Sequence, residues 1–258
     1  GLILLTGWSA GQANQLADIL GSPLLGSWAV SAQTSGICIA VLILFILFGG
    51  IKRIGNVSEK MVPFMFLLYT SASIWVILAN YQQLPAIFDL ILRTAFSREA
   101  LVGGIAVGGL QQALRWGIFK GVQSNEAGVG TATIPHSMAE THSPTQQGML
   151  AMASIYSGGF ICILSGLVVL LTGTWEDSRI SLGINVITQS FAAYFSYIGI
   201  IIVVISSFLF AFGTILGNSY NGSQCFTYLT QNRWLKLYYL VIALSIFYGS
   251  ISDVRFIW

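Results

Sequence analysis

Ile37-Cys38-Ile39-Ala40-Val41-Leu42-Ile43-Leu44-Phe45-Ile46-Leu47-Phe48 is an unbroken apolar run, closed by Gly49-Gly50 and then by Lys52 and Arg53. With its upstream flank it spans 27–49, long enough for a helix to cross a bilayer, which takes about 20 largely apolar residues. The rest of the chain has the same character. Of 258 residues, 55% are hydrophobic and only 8% charged. A soluble domain carries roughly 25% charged residues. Eleven Lys+Arg and nine Asp+Glu cannot cover a water-exposed surface of this size. The fold class is therefore an all-α polytopic membrane protein, because only helices satisfy their own backbone hydrogen bonds in lipid.

Other classes fall away. A net charge of +2, scattered along the chain, does not make a nucleic-acid face. Cys38, Cys162 and Cys225 lie far apart with no CxxC, which argues against a zinc site or disulfide framework. His136, Glu140 and His142 match no zinc spacing and read as a solvated loop. No nucleophile–base pair appears within a span, so an enzyme is not expected. Gly1 lies against an apolar stretch with no basic region before it, and Asp253 to Trp258 reads as the start of another helix. The chain is expected to be an internal fragment.

Spans are expected near 1–20, 27–49, 61–80, 99–121, 147–173, 190–217 and 235–251, about seven in all. Residues 85–97 are too short to cross. Phe88, Ile91, Leu92, Ala95 and Phe96 recur at helical spacing opposite Asp89 and Arg93, which predicts a helix lying in the interface. Lys52, Arg53 and Lys60, then Arg233 and Lys236, put loops 50–60 and 218–236 in the cytoplasm, with 122–146 on the same side.

Four polar or glycine-rich features interrupt the apolar pattern. Gly103, Gly104, Gly108 and Gly109 crowd the fourth span. Each interior Gly costs about 1 kcal/mol of helix stability relative to Ala, so the run reads either as a helix broken at mid-membrane or as close helix packing. Gln12 lies one turn after Trp8 and either lines a cavity or bonds to a neighbouring helix. Thr214 and Asn218 are four apart, on one helical face. The Thr214 hydroxyl suits a hard cation such as sodium, or bonds back to its own helix. Ser124-Asn125-Glu126-Ala127-Gly128 follows the fourth span as a polar loop at the membrane edge.

Gly49-Gly50-Ile51-Lys52-Arg53-Ile54, Val57 to Met65, Gly121 to Ala132, Gly11-Gln12-Ala13-Asn14 and Thr214-Ile215-Leu216-Gly217 together resemble the sodium:alanine (alanine or glycine:cation) symporter family, in order along nearly the whole chain. The resemblance implies a LeuT-type fold of two inverted five-helix repeats. Residues 1–258 would form one transporter domain holding roughly the third to ninth core helices, without the first, second and tenth. It implies a multi-pass protein of the plasma (inner) membrane that moves a small neutral amino acid, alanine or glycine, with sodium as coupling ion and no other cofactor. Carried over residue by residue, Gln12, Gly103, Gly104, Gly108, Gly109, Thr214 and Asn218 match substrate-site positions, with Thr214 also facing sodium. Two positions depart from the family pattern. Gly213 stands where a Ser is usual, and Asn218 where a Trp is usual, so substrate size or coupling ion is open to change. Proton coupling, another substrate, and a non-transporting scaffold of the same fold are the rival readings.

Overall fold

The computed structural model describes residues 2–95, 97, 114–115, 117–119, 121–122, 130–141, 143–177, 179–180, 183–231 and 233–253. Among them there is no strand. The helices are α1 (Leu2–Leu20), α2 (Ala32–Leu47), α3 (Gly50–Ala79), α4 (Leu84–Ala95), α5 (Thr133–Ser137), α6 (Pro144–Thr172), α7 (Ile184–Thr230) and α8 (Leu235–Ile251). Three helices in this set are long and apolar enough to cross a membrane: Arg53–Ala79, Pro144–Thr172 and Ile184–Thr230. Ala32–Leu47 and Leu235–Ile251 are shorter apolar helices. The expected span at 99–121 lies largely outside the described residues, as do 123–129 and 142 of the expected loop at 122–146; the rest of that segment holds α5 and the start of α6.

The chain divides into two compact units, Gly1–Ala72 with Asp177–Trp258, and Ser73–Glu176. In the first, α1 packs along both α7 and α8, and α2 packs on α8. Leu16 of α1, Ile39 and Ile43 of α2, Ile215 and Leu216 of α7, and Ile242 and Ile246 of α8 form an almost fully buried core. Lipid tails are as apolar as these side chains, so burial alone supplies little drive for helices to associate in a bilayer. Close packing and interhelical hydrogen bonds must supply it. The small residues are placed for that. A β-carbon on Gly249 of α8 would meet the backbone of Ala10 on α1, and one on Gly36 of α2 would meet the Ser250 side chain.

Asn14 joins the same contact. Its Nδ2 donates to the carbonyls of Gly249 at 3.0 Å and Ser252 at 2.7 Å, at the end of α8. Asn14→Leu strands those carbonyls and a buried contact. The expected loss is about 1–2 kcal/mol, read as a melting temperature lowered by roughly 2–8 °C for the full-length protein in detergent.

Residues 50–60, expected as a loop, are the first turns of α3. The turn before them is confined to Phe48-Gly49, with Gly50 at φ 68°. Arg53 explains how the charge is accommodated: its Nη1 donates to the Phe45 carbonyl at 2.9 Å, and its guanidinium lies 4.7 Å from the Phe45 ring centroid. A cation near the last carbonyls of α2 complements the negative end of that helix. Charge at this point therefore caps a helix.

Residues 218–230, also expected in a loop, continue α7. Asn218, Ser219, Tyr220, Asn221, Gly222 and Ser223 are all buried. Their polarity reflects close helix contact rather than solvent. At its other end α7 is interrupted at Ser196, where φ is 49° and ψ −131°. Residues eight apart in a continuous helix stand about 12 Å apart. Here a β-carbon on Gly199 would instead meet the Phe191 carbonyl, so 184–195 folds back on the helix that follows. Phe191, fully buried, lies 5.6 Å from the Tyr69 ring of α3 and 6.4 Å from Phe195. In the turn before α7, Arg179 hydrogen-bonds Asp177 and holds its carboxyl down at about 2.

In the second unit, Ser143 caps α6 by accepting from the Gln146 N–H at 3.2 Å, and α6 stops at Gly173, φ 68°. Gln147 of α6 pairs with His136 of α5 at 2.6 Å. α4 is the helix expected at 85–97, with Asp89 and Arg93 paired at 2.7 Å on its polar side. Its Phe88, Leu90, Ile91 and Leu92 are exposed, as are Met149, Leu150, Tyr156 and Ile163 of α6. Apolar exposure on this scale is what a lipid-facing surface presents.

Candidate substrate and ion site

α1 and α7 carry the expected site residues that are described, and the two helices pack against each other. The register along each helix decides which side chains are available. At 100° per residue, Gln12 and Asn14 point about 200° apart around α1. Asn14 is buried and committed to α8. Gln12 is half-buried, on a different side of the helix.

Thr214 is exposed, and its Oγ1 donates to the Phe210 carbonyl at 2.9 Å. That bond uses the hydroxyl hydrogen. A hydroxyl oxygen has two acceptor lone pairs and one proton. With the proton turned back into the helix, the open side meets lone pairs only. The back-bond to the helix and a cation-facing oxygen are thus compatible readings of one rotamer. Asn218, one turn on, is 3% exposed, and its Nδ2 makes no hydrogen bond among the described residues. Each step of four residues turns the face by about 40°, enough to carry the stripe from the open side at Thr214 into the helix contact at Asn218.

Gly213 faces Met61 of α3: a β-carbon there would lie 3.0 Å from Met61 Cε. A side chain at 213 would therefore be directed at α3, while that of Thr214 stands on the open side. Gly103, Gly104, Gly108 and Gly109 lie outside the described residues, as do Glu126 and His142.

Sequence reasoning missed Asn14 as a helix tie, although it lay in the same polar tetrad as Gln12. It also missed a cavity of about 970 Å³ lined by Asn14, Gln15, Asp18, Gly183, Ser252 and Asp253 among others. Among the described residues, Gln12, Thr214 and Asn218 do not line that cavity. Its residues come from the ends of four helices, and no short motif connects them.

The sodium:alanine symporter family matches residues 2–258. An uncharacterized transporter of Haemophilus influenzae is 35% identical over 231 residues, covering 89% of this chain and 50% of the relative. The sodium/alanine symporter AgcS of Methanococcus maripaludis is 30% identical over 250 residues, 96% of this chain and 53% of that protein. The putative sodium/proton-dependent alanine carrier protein YrbD of Bacillus subtilis is 30% identical over 264 residues, with 96% and 53% coverage. The chain spans about half the length of these curated relatives.

Proposed function

Because this chain belongs to the sodium:alanine symporter family, an integral membrane family of transporters, we propose that it forms part of a carrier that moves a small neutral amino acid, alanine or glycine, across the plasma membrane on a sodium gradient. The observation that carries the reading is the family match over 2–258 together with Thr214, which offers oxygen lone pairs on an exposed face of α7. Residues 1–258 then belong to one transporter domain of LeuT type, with the charged ends near 50–60 and 230–236 and the segment 122–146 on the cytoplasmic side. Gln12 reaches the substrate from α1. The glycine-rich segment 103–109 breaks its helix at mid-membrane and offers half-helix termini to the substrate carboxylate. Thr214 contributes an oxygen to sodium. Asn218, buried one turn beyond Thr214 on the same stripe, lines the inner end of the substrate site.

The test is uptake of labelled alanine and glycine by the complete reading frame in sealed vesicles, with and without an inward sodium gradient. Sodium-driven accumulation is the expected result. Uptake indifferent to sodium but lost when the pH gradient collapses would instead establish proton coupling. Amino-acid binding without accumulation would make the protein a non-transporting relative. Within the working carrier, Thr214→Ala is expected to raise the half-saturating sodium concentration about tenfold, the equivalent of about 1.4 kcal/mol. Thr214→Ser, which keeps the hydroxyl, should stay close to the unsubstituted protein. An unchanged sodium dependence in Thr214→Ala removes the residue from the ion site.

A further inference from the structure

α2 and α8 pack antiparallel. At one end a β-carbon on Gly36 would meet Ser250, and at the other the Phe48 and Tyr239 rings meet edge to face, centroids 5.3 Å apart. The end of α2 and the start of α8 therefore share one membrane edge, and that edge is basic. Arg53, Arg233 and Lys236 are exposed. Acids are scarce around them, since residues 19–58 and 178–252 contain no Asp or Glu. Glu59 lies six residues past Arg53, about 120° round α3. The ion pairs among the described residues are Arg93–Asp89 and Arg179–Asp177, so neither Arg53 nor Lys236 has an acidic partner there.

Arg53 is held in place. Its side chain lies across Gly49, where a β-carbon would collide with its Cδ and Nε. One of its five N–H donors goes to the Phe45 carbonyl, and the guanidinium sits beside the Phe45 ring. The other donors remain for an acceptor outside the helix. A fixed guanidinium fork suits a phosphate, because little freedom is lost when it binds. Lys236 stands in the first turn of α8, three residues before Tyr239, a neighbouring position about 5–6 Å away on the helix surface. The positive end of the α8 dipole lies at the same turn. Both cations are thus attached to the two helices that meet at Phe48 and Tyr239.

Apolar stripes run from this edge along both helices. Val41 and Phe45 on α2 and Leu240 and Leu244 on α8 are between 46% and 65% exposed. Cations above an apolar face match a molecule with an anionic head and hydrocarbon tails. A free phosphate would answer only the charge, and a zwitterionic lipid brings no net charge. We propose that the end of α2 and the start of α8 form a seat for an anionic phospholipid. Arg53 donates to a phosphate oxygen, Lys236 supplies a second positive charge, and an acyl chain lies along Val41, Phe45, Leu240 and Leu244. The seat depends on the bilayer alone, whatever the substrate or coupling ion.

The experiment counts lipid bound to the full-length protein in detergent by native mass spectrometry, with phosphatidylglycerol against phosphatidylcholine of the same chains. Phosphatidylglycerol is expected to bind tighter. Lys236→Gln should weaken it about fivefold, the equivalent of about 1 kcal/mol per basic residue at an anionic lipid surface. Lys236 makes no hydrogen bond through its side chain among the described residues, so this variant removes charge without touching a helix tie. Arg53→Gln should cost at least as much, and Arg53→Lys should recover only part, since the charge returns without the fork. Arg93→Gln, a charge removed from α4, should leave lipid affinity unchanged. Equal binding of the two lipids, or an equal loss in Arg93→Gln and Lys236→Gln, would overturn the proposal. So would inorganic phosphate at millimolar concentration displacing phosphatidylglycerol completely, which would make the seat an anion site without a role for the tails.

Discussion

Gly249→Ala is expected to lower the melting temperature of the full-length protein by roughly 5–10 °C in detergent, the effect of about 2–3 kcal/mol of overpacking. The new β-carbon would lie 2.6 Å from the Ala10 Cα and 2.8 Å from its carbonyl carbon. Those atoms belong to the α1 backbone, so no rotamer change relieves the clash and the helices must part. Parting them also stretches the Asn14 hydrogen bond to the Gly249 carbonyl, so packing and polar losses arrive together. Ala10→Gly should restore little, since the obstacle is not the Ala10 side chain. Gly36→Ala provides the contrast. Its obstacle is the Ser250 side chain, and Ser250→Gly should recover part of that loss. A Gly249→Ala protein that melts within about 1 °C of the original would show that α1 and α8 are not held at this distance.

How far the sequence could be read depended on whether polarity meant solvent. The run Ile37–Phe48 announced α2, and the stripe of Phe88, Ile91 and Leu92 against Asp89 and Arg93 announced α4, because in both the pattern is periodic and local. The segments 50–60 and 218–230, expected in loops, are helical for a shared reason. Lys52, Arg53 and Lys60 mark the membrane edge, but they are also good helix formers, and Arg53 settles on the Phe45 carbonyl and ring. Asn218 to Ser223 look like a loop because buried polar residues read as solvated ones until the facing helix is known. The break at Ser196 carried no Gly or Pro at the kink itself, and Gly199, three residues on, reads as ordinary within an apolar span. In the candidate site, Thr214 was legible as a hydroxyl on a helix face, and its exposure fits that reading. The division of labour between Gln12 and Asn14 was not, since both are amides in one short motif and only the position of α8 separates them.

The turn at Ser196 supports the second large effect. Gly199→Ala is expected to cost as much as Gly249→Ala, roughly 5–10 °C, because its β-carbon would press on the Phe191 carbonyl and lie 3.0 Å from the Ala192 nitrogen. The obstacle is again backbone. The substitution pushes 184–195 away from the helix that follows and draws Phe191 out of its contact with Tyr69. The neighbouring position should respond in the opposite direction. Ser196 holds φ 49° and ψ −131°, a region that a side chain occupies at a cost of about 1–3 kcal/mol and that glycine enters freely. Ser196→Gly also makes the unfolded chain more flexible, which returns part of that gain. The net expectation is a rise of about 1–4 °C in melting temperature. Opposite signs at two positions three residues apart distinguish a specific folded-back turn from general sensitivity of the segment. If both substitutions destabilise equally, Ser196 is not the strained residue of the turn. If Gly199→Ala is silent, 184–195 is not seated on the helix at that point.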